Sequence, residues 1–173
     1  MYEKILVAVD GIATSERALT EAIKLATLTD ARLRLVNVVE DPTCAIGRGR
    51  YPVACSAGML KALKDAGEQV LDKARAAARA HRVDVDTALI ENIGGRVSDS
   101  ILEEAVRCGA GLLVLGTHGR RGFRRFMLGS DAEQILCAAR VPVLLVRSDE
   151  PEAAPQATAT MRADTTAQID IRP

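Results

Sequence analysis

The 173-residue sequence predicts an α/β protein in which a single five-stranded parallel sheet carries helices on both faces. Three observations lead to this prediction. Apolar runs rich in Val, Ile and Leu alternate with segments of helical periodicity, in the order βαβαβαβαβ. Most of these runs are apolar throughout, which is typical of strands buried on both faces. Strands that are joined through helices pair in parallel by right-handed crossovers.

The first part of the chain contains two strands and the helix between them. Lys4–Asp10 (KILVAVD) is a short apolar run that ends at Gly11, as expected of a buried strand. Thr14 and Ser15 offer hydroxyl groups as N-caps for the helix that follows. Arg32–Glu40 (RLRLVNVVE) alternates at first and then becomes apolar, which predicts the second strand.

The middle of the chain is predicted to hold a loop, a helix and a weak strand. Residues 41–58 contain Pro and Gly without a sustained period, which indicates a long loop, either a lid or a partner surface. Ala57–His81 is rich in Ala, Leu, Lys and Glu and favours a helix. Val83–Ile90 alternates apolar and polar residues, the pattern of a strand at a sheet edge.

The last part of the predicted domain adds two helices and two strands. A helical stripe that begins at Val97 precedes Gly111–Gly116 (GLLVLG), which is a fully apolar strand. After a further loop, Ser130 opens a short helix. Val141–Arg147 (VPVLLVR) is then the last strand.

The expected burial of the strands favours the order 3-2-1-4-5 in the sheet. The most apolar runs, residues 5–9, 112–115 and 143–146, should be the most buried, and the alternating third strand should lie at an edge. This order leaves the fifth strand at the other edge, where an apolar strand is an aggregation hazard unless something pairs with it. We therefore predict a homodimer through the strand Val141–Arg147.

Composition and charge exclude several classes of protein. Lys+Arg and Asp+Glu both number 23, so no basic excess is available for general nucleic-acid binding. Aromatic residues make up 2% and Trp is absent, which argues against stacking platforms for single strands. No apolar run approaches the roughly 20 residues of a membrane span, and no signal-peptide pattern opens the sequence.

The four cysteines indicate a reducing compartment. They are scattered and form no CxxC pair: Cys44, Cys55, Cys108 and Cys137. Reduced thiols are the preferred interpretation, and a pair or metal site at the first two is the alternative. We therefore expect a cytoplasmic protein.

The composition changes after Arg147. Residues 148–173 are rich in Ala, Thr, Pro and acidic residues, with hardly any large apolar residue before Ile169 and Ile171. We expect a domain of residues 1–147 followed by a disordered tail, with docking of the tail through those two isoleucines as the alternative.

The loop after the fourth strand has the composition of an anion-binding segment. Residues 116–130 (GTHGRRGFRRFMLGS) contain four glycines and four arginines and end where a helix begins. In a doubly wound sheet this loop lies at the switch point between strands 1 and 4, where ligands bind. Glycines allow the backbone to approach a phosphate, and a helix N-terminus supplies free N–H groups. The alternative is a glycine-rich turn with solvated arginines and Ser130 as a simple N-cap. The loop is not a Walker A motif, because it lacks Gly-Lys-[Ser/Thr].

The spacing Gly116-x2-Gly119-x9-Gly129-Ser130 resembles the nucleotide-binding signature of the universal stress protein family. The opening run ILVAVDG and the closing run PVLLV resemble the first and last strands of that family. The resemblance covers about residues 1–147. It implies a Rossmann-like (adenine nucleotide alpha hydrolase-like) fold, a dimer through the last strand and, in members with the full glycine signature, ATP binding.

The resemblance also implies roles for individual residues. Asp10, beside Val9, would meet the ribose or adenosine side of the nucleotide through its carboxylate, and Val38 would offer backbone groups to the adenine. Gly116 and Gly119 would wrap the sugar-phosphate, while Gly129 and Ser130 would hold the phosphates at the helix start. His118 and Arg120 of the same loop are further candidate nucleotide ligands. Simpler alternatives remain: Asp10 as a cap of the strand-to-helix turn, His118 as a locally bonded loop residue, and the arginines as a solvated surface.

Two residues depart from the family pattern. Ile12 stands where the family often has a serine after Asp-Gly, and this removes a hydroxyl group. Asp131 follows Ser130 at the helix start, where its carboxylate suits the helix dipole but repels a triphosphate. We hypothesise that Mg²⁺ reconciles the two, with Asp131 as a metal ligand.

The leading functional hypothesis is an ATP-binding protein of the stress response that works as a nucleotide-dependent switch or sensor. A slow ATPase or autophosphorylating enzyme is the second hypothesis, although only Asp10, Asp131 and His118 are available for it. The third is a structural dimer without nucleotide. No catalytic residue is assigned.

Overall fold

A computed structural model gives the fold of the chain and describes residues 2–40, 57–117 and 128–147. Strands and helices alternate in the predicted order. The elements are β1 (Lys4–Ala8), α1 (Ala13–Thr29), β2 (Arg32–Glu40), α2 (Ala57–Ala80), β3 (Val85–Asn92), α3 (Val97–Cys108), β4 (Leu112–Gly116), α4 (Ser130–Ala138) and β5 (Val143–Val146).

The five strands form one parallel sheet in the order β3-β2-β1-β4-β5, as predicted. β1 lies at the centre and pairs with β2 on one side and with β4 on the other. The chain therefore adds β2 and then β3 on one side of β1. It then crosses back to build β4 and β5, which creates a switch point between β1 and β4.

Helices cover both faces of the sheet, which confirms the predicted layers. α1 and α2 pack on one face, and α3 and α4 pack on the other. The first face buries Ile5, Val7, Leu35 and Val114 against Leu19, Ile23 and Leu71. The second face buries Leu6, Val36 and Leu113 against Ile101 and Ile135. Odd and even residues of each strand thus serve opposite faces, which is why these strands are apolar throughout.

The burial expected of the last strand is wrong for the single chain. Val143, Leu144 and Leu145 are half-buried, and only Val146 of β5 is fully buried. β5 has a neighbour on one side alone, whereas β2 lies between two strands, contacts helices on both faces and is more buried than the sequence indicated. The alternating strand β3 occupies the other edge, as predicted.

Several predicted boundaries shift by a few residues. β1 ends at Ala8 rather than Asp10, and β5 begins at Val143 rather than Val141. The second shift follows from Pro142, which has no N–H to donate, although its carbonyl accepts the amide of Leu113 at 3.0 Å. The predicted N-caps of the first helix are also wrong, because the N-cap residue is Ile12 and both hydroxyl residues lie inside the first turn.

The structure bears on membrane-spanning helices and on two of the four cysteines, but not on the tail. Among the described residues, no helix has the length and apolar character needed to cross a membrane. Cys108 is half-buried and Cys137 is exposed, and both are free thiols. Burial, reinforced by the nearby Glu104 carboxylate, raises the pKa of the Cys108 thiol. Cys44, Cys55 and the tail 148–173 lie outside the described residues.

A buried carboxylate ties α3 to the sheet. Glu104 of α3 is 2% exposed, and its Oε1 accepts a bond from Nε of Arg34 in β2 at 2.8 Å. Its other oxygen, Oε2, accepts from Nε of Arg107 at 2.7 Å. Arg34 also donates to the carbonyl of Thr87 in β3 at 3.3 Å. Because both carboxylate oxygens and the guanidinium are bonded, the buried charges are compensated.

We predict that Glu104→Ala lowers the free energy of unfolding by about 3–5 kcal/mol, since it leaves the largely buried Arg34 guanidinium without its carboxylate. Asp84→Ala is the matched control, because the Arg32–Asp84 pair is 52% and 65% exposed. We expect the control to cost about 0–1 kcal/mol. Urea denaturation measures both, and equal losses would contradict the assignment.

Candidate functional site at the strand switch point

The candidate site is the crevice where β1 separates from β4. The two strands are paired only from Ile5↔Leu112 to Val7↔Val114. β4 then continues along β5 to the pair Gly116↔Val146, while the chain after β1 turns away into α1. The carboxyl ends of β1 and β4 therefore diverge, which is the place where doubly wound sheets bind ligands.

One wall of the crevice is the turn between β1 and α1. Oδ1 of Asp10 accepts the amide of Ile12 at 3.2 Å, so the carboxylate does cap this turn. The hydroxyl of Ser15 accepts the amide of Asp10 at 3.3 Å and donates to the carbonyl of Ile12 at 3.0 Å. Gly11 has φ +82°, a conformation that favours glycine. These bonds hold the half-buried Asp10 at the mouth of the crevice.

Gly116 allows α1 to lie directly against the end of β4. A Cβ on Gly116 would stand 3.1 Å from the carbonyl carbon of Thr14 and 3.2 Å from its oxygen. These are backbone atoms of the first turn of α1, so the helix itself would have to shift by a few tenths of an ångström to admit a methyl group. The glycine therefore has a packing role, which brings the N-terminus of α1 to the switch point.

The opposite wall is the start of α4, which is fixed to the end of β4. The amide of Thr117 donates to the carbonyl of Val146, and the amide of Gly129 donates to the carbonyl of Thr117, both at 2.9 Å. The fully buried Ser98 of α3 donates to Oε1 of Gln134 at 2.7 Å, which fixes α4 from the side.

The first turn of α4 has backbone donors together with acidic side chains. Gly129 is the N-cap residue and supplies no side-chain bond to the first amides. Ser130 is the first helical residue and is exposed, so it is not the N-cap that the simpler alternative required. Asp131 and Glu133 both lie in this turn, where negative charge suits the helix dipole.

The floor of the crevice on the β2 side is formed by backbone. The amide of Val9 donates to the carbonyl of Val36 at 2.9 Å, and strand pairing between β1 and β2 ends at Ala8↔Val36. The carbonyl of Val9 accepts Nδ2 of Asn37 at 2.7 Å. The Val38 side chain packs in the core beside α3.

The structure thus assembles most of the predicted site residues around one crevice. Val9 and Asp10 lie at the end of β1, Gly116 at the end of β4, Gly129 and Ser130 at the start of α4, and Val38 near the end of β2. His118, Gly119 and Arg120 lie outside the described residues.

Sequence reasoning missed Asn37 and Gly67. Asn37 is 3% exposed, and a Cβ on Gly67 of α2 would stand 2.7 Å from its Oδ1. A lone amide at an inward position of the apolar run RLRLVNVVE was the available signal for Asn37. Gly67 had none, because its close approach to β2 depends on how α2 is placed.

The residues of the crevice fit a magnesium ion only in combination with other ligands. Within the part of the chain that the structure describes, no group of three or more His, Cys, Asp or Glu side chains could hold a metal. Asp131 and Glu133 supply hard oxygen atoms in one helical turn. Mg²⁺ commonly binds through one or two carboxylates together with phosphate oxygens and water. The carboxylates of the described part of the crevice therefore fit a metal that arrives with phosphates.

A sequence comparison decides the family. The model of the universal stress protein family matches residues 1–147. The chain belongs to the universal stress protein family. A universal stress protein of Methanocaldococcus jannaschii is 32% identical over 153 residues, covering 88% of this chain and 86% of that protein.

Solved structures of universal stress proteins have the same fold. A family member from Burkholderia pseudomallei is 33% identical with a TM-score of 0.69, over 85% of this chain and 97% of that one. The universal stress protein of Archaeoglobus fulgidus in complex with dAMP is 22% identical with a TM-score of 0.61, over 84% and 98% of the two chains. At that identity the second likeness is one of fold.

We predict that Gly116→Ala destabilises the domain by about 1–3 kcal/mol, because the added methyl group overlaps the backbone of Thr14. Gly111→Ala, at the other end of β4, is the matched control, since its nearest contact would be 3.6 Å from Tyr2. We expect the control to change stability by less than about 1 kcal/mol. Thermal and urea denaturation measure the free energy of unfolding of both variants. Equal values would contradict the close packing of α1 on β4.

Proposed function

We propose that this universal stress protein binds ATP together with Mg²⁺ in the crevice between β1 and β4 and acts as a nucleotide-dependent switch in a stress response. The observation that carries the proposal is the divergence of β1 from β4, with the start of α4 fixed to β4 through Thr117 and Gly129. The structure of the Archaeoglobus fulgidus relative in complex with dAMP supports an adenine nucleotide as the ligand.

The phosphates are assigned to the start of α4. The N-cap Gly129 offers no side chain, so a phosphate can approach the first amides of the helix. Ser130 is exposed beside them and adds a hydroxyl donor. The family signature adds Gly119 from the preceding loop to this role, and we assign its neighbours His118 and Arg120 to the same role.

The nucleoside is assigned to the ends of β1 and β2. Asp10 is held by the turn bond to Ile12 with its carboxylate at the mouth of the crevice, where it accepts hydrogen bonds from ribose hydroxyls. Val9 lies beneath the sugar, and the backbone of Val38 meets the base. The resemblance to the family is the source of these roles, and the divergence of the strands supports them.

Magnesium resolves the conflict between the acidic first turn and a polyphosphate. Asp131 lies next to Ser130, and Glu133 is in the same turn. A divalent ion bound to the phosphates turns repulsion by these carboxylates into attraction. Nucleotide affinity is therefore strongly dependent on the metal.

The switch connects the crevice to a dimer. β5 presents three half-buried side chains at a sheet edge, and this edge is paired in the proposed homodimer. The carbonyl of Val146 in β5 also accepts a hydrogen bond from the amide of Thr117, the last described residue before the glycine loop. A nucleotide that binds the loop following Thr117 therefore acts next to the dimer edge, and the change in this surface alters what the dimer binds in the cytoplasm.

We predict that the purified full chain binds ATP in the presence of Mg²⁺ and binds it much more weakly in EDTA. Isothermal titration measures both affinities, and mass spectrometry of nucleotide released by heat identifies the ligand already present. A protein that is empty and shows no heat on titration would refute the proposal in favour of a structural dimer. Release of ADP on incubation with ATP would instead favour the slow ATPase.

Two variants locate the phosphates and the metal. We predict that Ser130→Ala weakens binding of Mg²⁺-ATP by about tenfold, because a hydrogen bond to a charged oxygen is lost. Asp131→Asn should bring the affinities in EDTA and in Mg²⁺ closer together. Glu133→Gln is the matched control, since it removes a charge of the same sign from the same turn. If the two acidic variants behave alike, the metal dependence comes from the charge of the whole turn and not from Asp131 as its single metal ligand.

A further inference from the structure

A side chain, rather than the backbone, completes the bonding between the ends of β1 and β2. The last backbone bond from β1 to β2 runs from the amide of Val9 to the carbonyl of Val36. The next rung of a parallel ladder would join the amide of Val38 to the carbonyl of Val9. That carbonyl instead accepts Nδ2 of Asn37 at 2.7 Å.

Because the Asn37 side chain takes the place of a backbone bond, the amide and carbonyl of Val38 are left available to the crevice. Backbone groups alternate in direction along a strand, and the carbonyl of Val36 faces β1. The amide and carbonyl of Val38, two residues further on, face the same side. β1 pairs only as far as Ala8, so these groups point past its end toward the switch point.

The Asn37 side chain is held in this position by its surroundings. It is 3% exposed, and among the described residues no buried side-chain nitrogen or oxygen lacks a partner. Gly67 of α2 lies so close that a Cβ there would stand 2.7 Å from Oδ1 of Asn37 and 2.6 Å from Cδ1 of Leu89. The amide therefore has little freedom to turn away from Val9.

A single residue that presents both N–H and C=O distinguishes the two purines. The Watson–Crick edge of adenine has an acceptor at N1 and a donor at N6, which complement the two backbone groups. Guanine has a donor at N1–H and an acceptor at O6, so the same groups would meet it donor to donor and acceptor to acceptor. Sites built on such hydrogen bonds reject the mismatched ligand strongly.

We propose that Asn37 is a positioning residue for base recognition: by bonding the Val9 carbonyl it keeps the Val38 amide and carbonyl available to read adenine. This inference rests on the proposed nucleotide function and adds the residue that gives the site its preference for adenine over guanine. Asn37 does not touch the base and acts through Val38.

The test compares Asn37→Ala with the wild type in the full chain. Without the side-chain amide, the carbonyl of Val9 is free to take the Val38 N–H and close the ladder. We expect the ratio of ATP to GTP affinity, measured by titration with Mg²⁺, to fall by about tenfold, since one base hydrogen bond is lost. The ratio isolates the base because the phosphates of the two probes are identical.

Amide hydrogen exchange followed by NMR gives the readout that a purely structural role would not move. In the wild type we expect the Val38 amide to exchange readily without ligand and to become protected when ATP binds. In Asn37→Ala it should already be protected without ligand. Asn37→Asp, which keeps the volume but removes the donor, should lower the ATP to GTP ratio in the same direction.

Asn92→Ala is the matched control. Asn92 is also a buried amide near the carboxyl edge of the sheet, 7% exposed, and it exchanges two hydrogen bonds with Gly95 at the end of β3. We expect it to lose stability with no change in base preference or in Val38 exchange. This inference alone is overturned if the wild type binds ATP while the Asn37→Ala variant keeps the base preference of the wild type and the rapid exchange of the Val38 amide. Wild-type protein that binds neither nucleotide overturns the proposed function and this inference together.

Discussion

The site depends on one constraint, which is that the pairing of β1 stops first toward β4 and then toward β2, so that a gap opens beyond its carboxyl end. Its pairing ends at Val7 toward β4 and at Ala8 toward β2. A parallel sheet that builds outward in both directions from its first strand must leave this gap, because the helices that follow its central strands depart to opposite faces. The turn at Asp10, the close approach at Gly116 and the start of α4 are all arranged around it.

The gap is kept open by short polar contacts rather than by apolar packing. Ser15 bonds both sides of the β1–α1 turn, Asn37 holds the Val9 carbonyl, and Ser98 fixes α4 through Gln134. All three side chains are buried, so their bonds lie in a low dielectric and are costly to break. The backbone groups of the crevice are therefore positioned before any ligand arrives, which lowers the cost of binding.

The same residues serve both packing and the proposed chemistry, which affects how variants should be interpreted. Gly116 belongs to the glycine signature, yet its contact with Thr14 gives it a structural reason of its own. Asp10 belongs to the proposed ribose site and also caps a turn. When a variant at either position loses nucleotide binding, its unfolding curve shows whether the loss comes from the site or from reduced stability of the fold. Ser130 is exposed and first in its helix, so its substitution separates binding from stability most cleanly.

The sequence by itself determined the order of the elements, the strand order and the location of the candidate site. Apolar periodicity and glycine spacing are local properties of the sequence. The runs at residues 5–9 and 112–115 are apolar throughout, which predicts that they are buried. It also indicated Asp10, Gly129 and Ser130, because they stand at the ends of recognisable elements. Only the tertiary structure decided that β1 stops pairing at Ala8, that Ile12 rather than Thr14 is the N-cap, and that Asn37 bonds Val9. These features depend on how close separate elements come to one another, and distance between elements is not encoded in the spacing of residues along one of them.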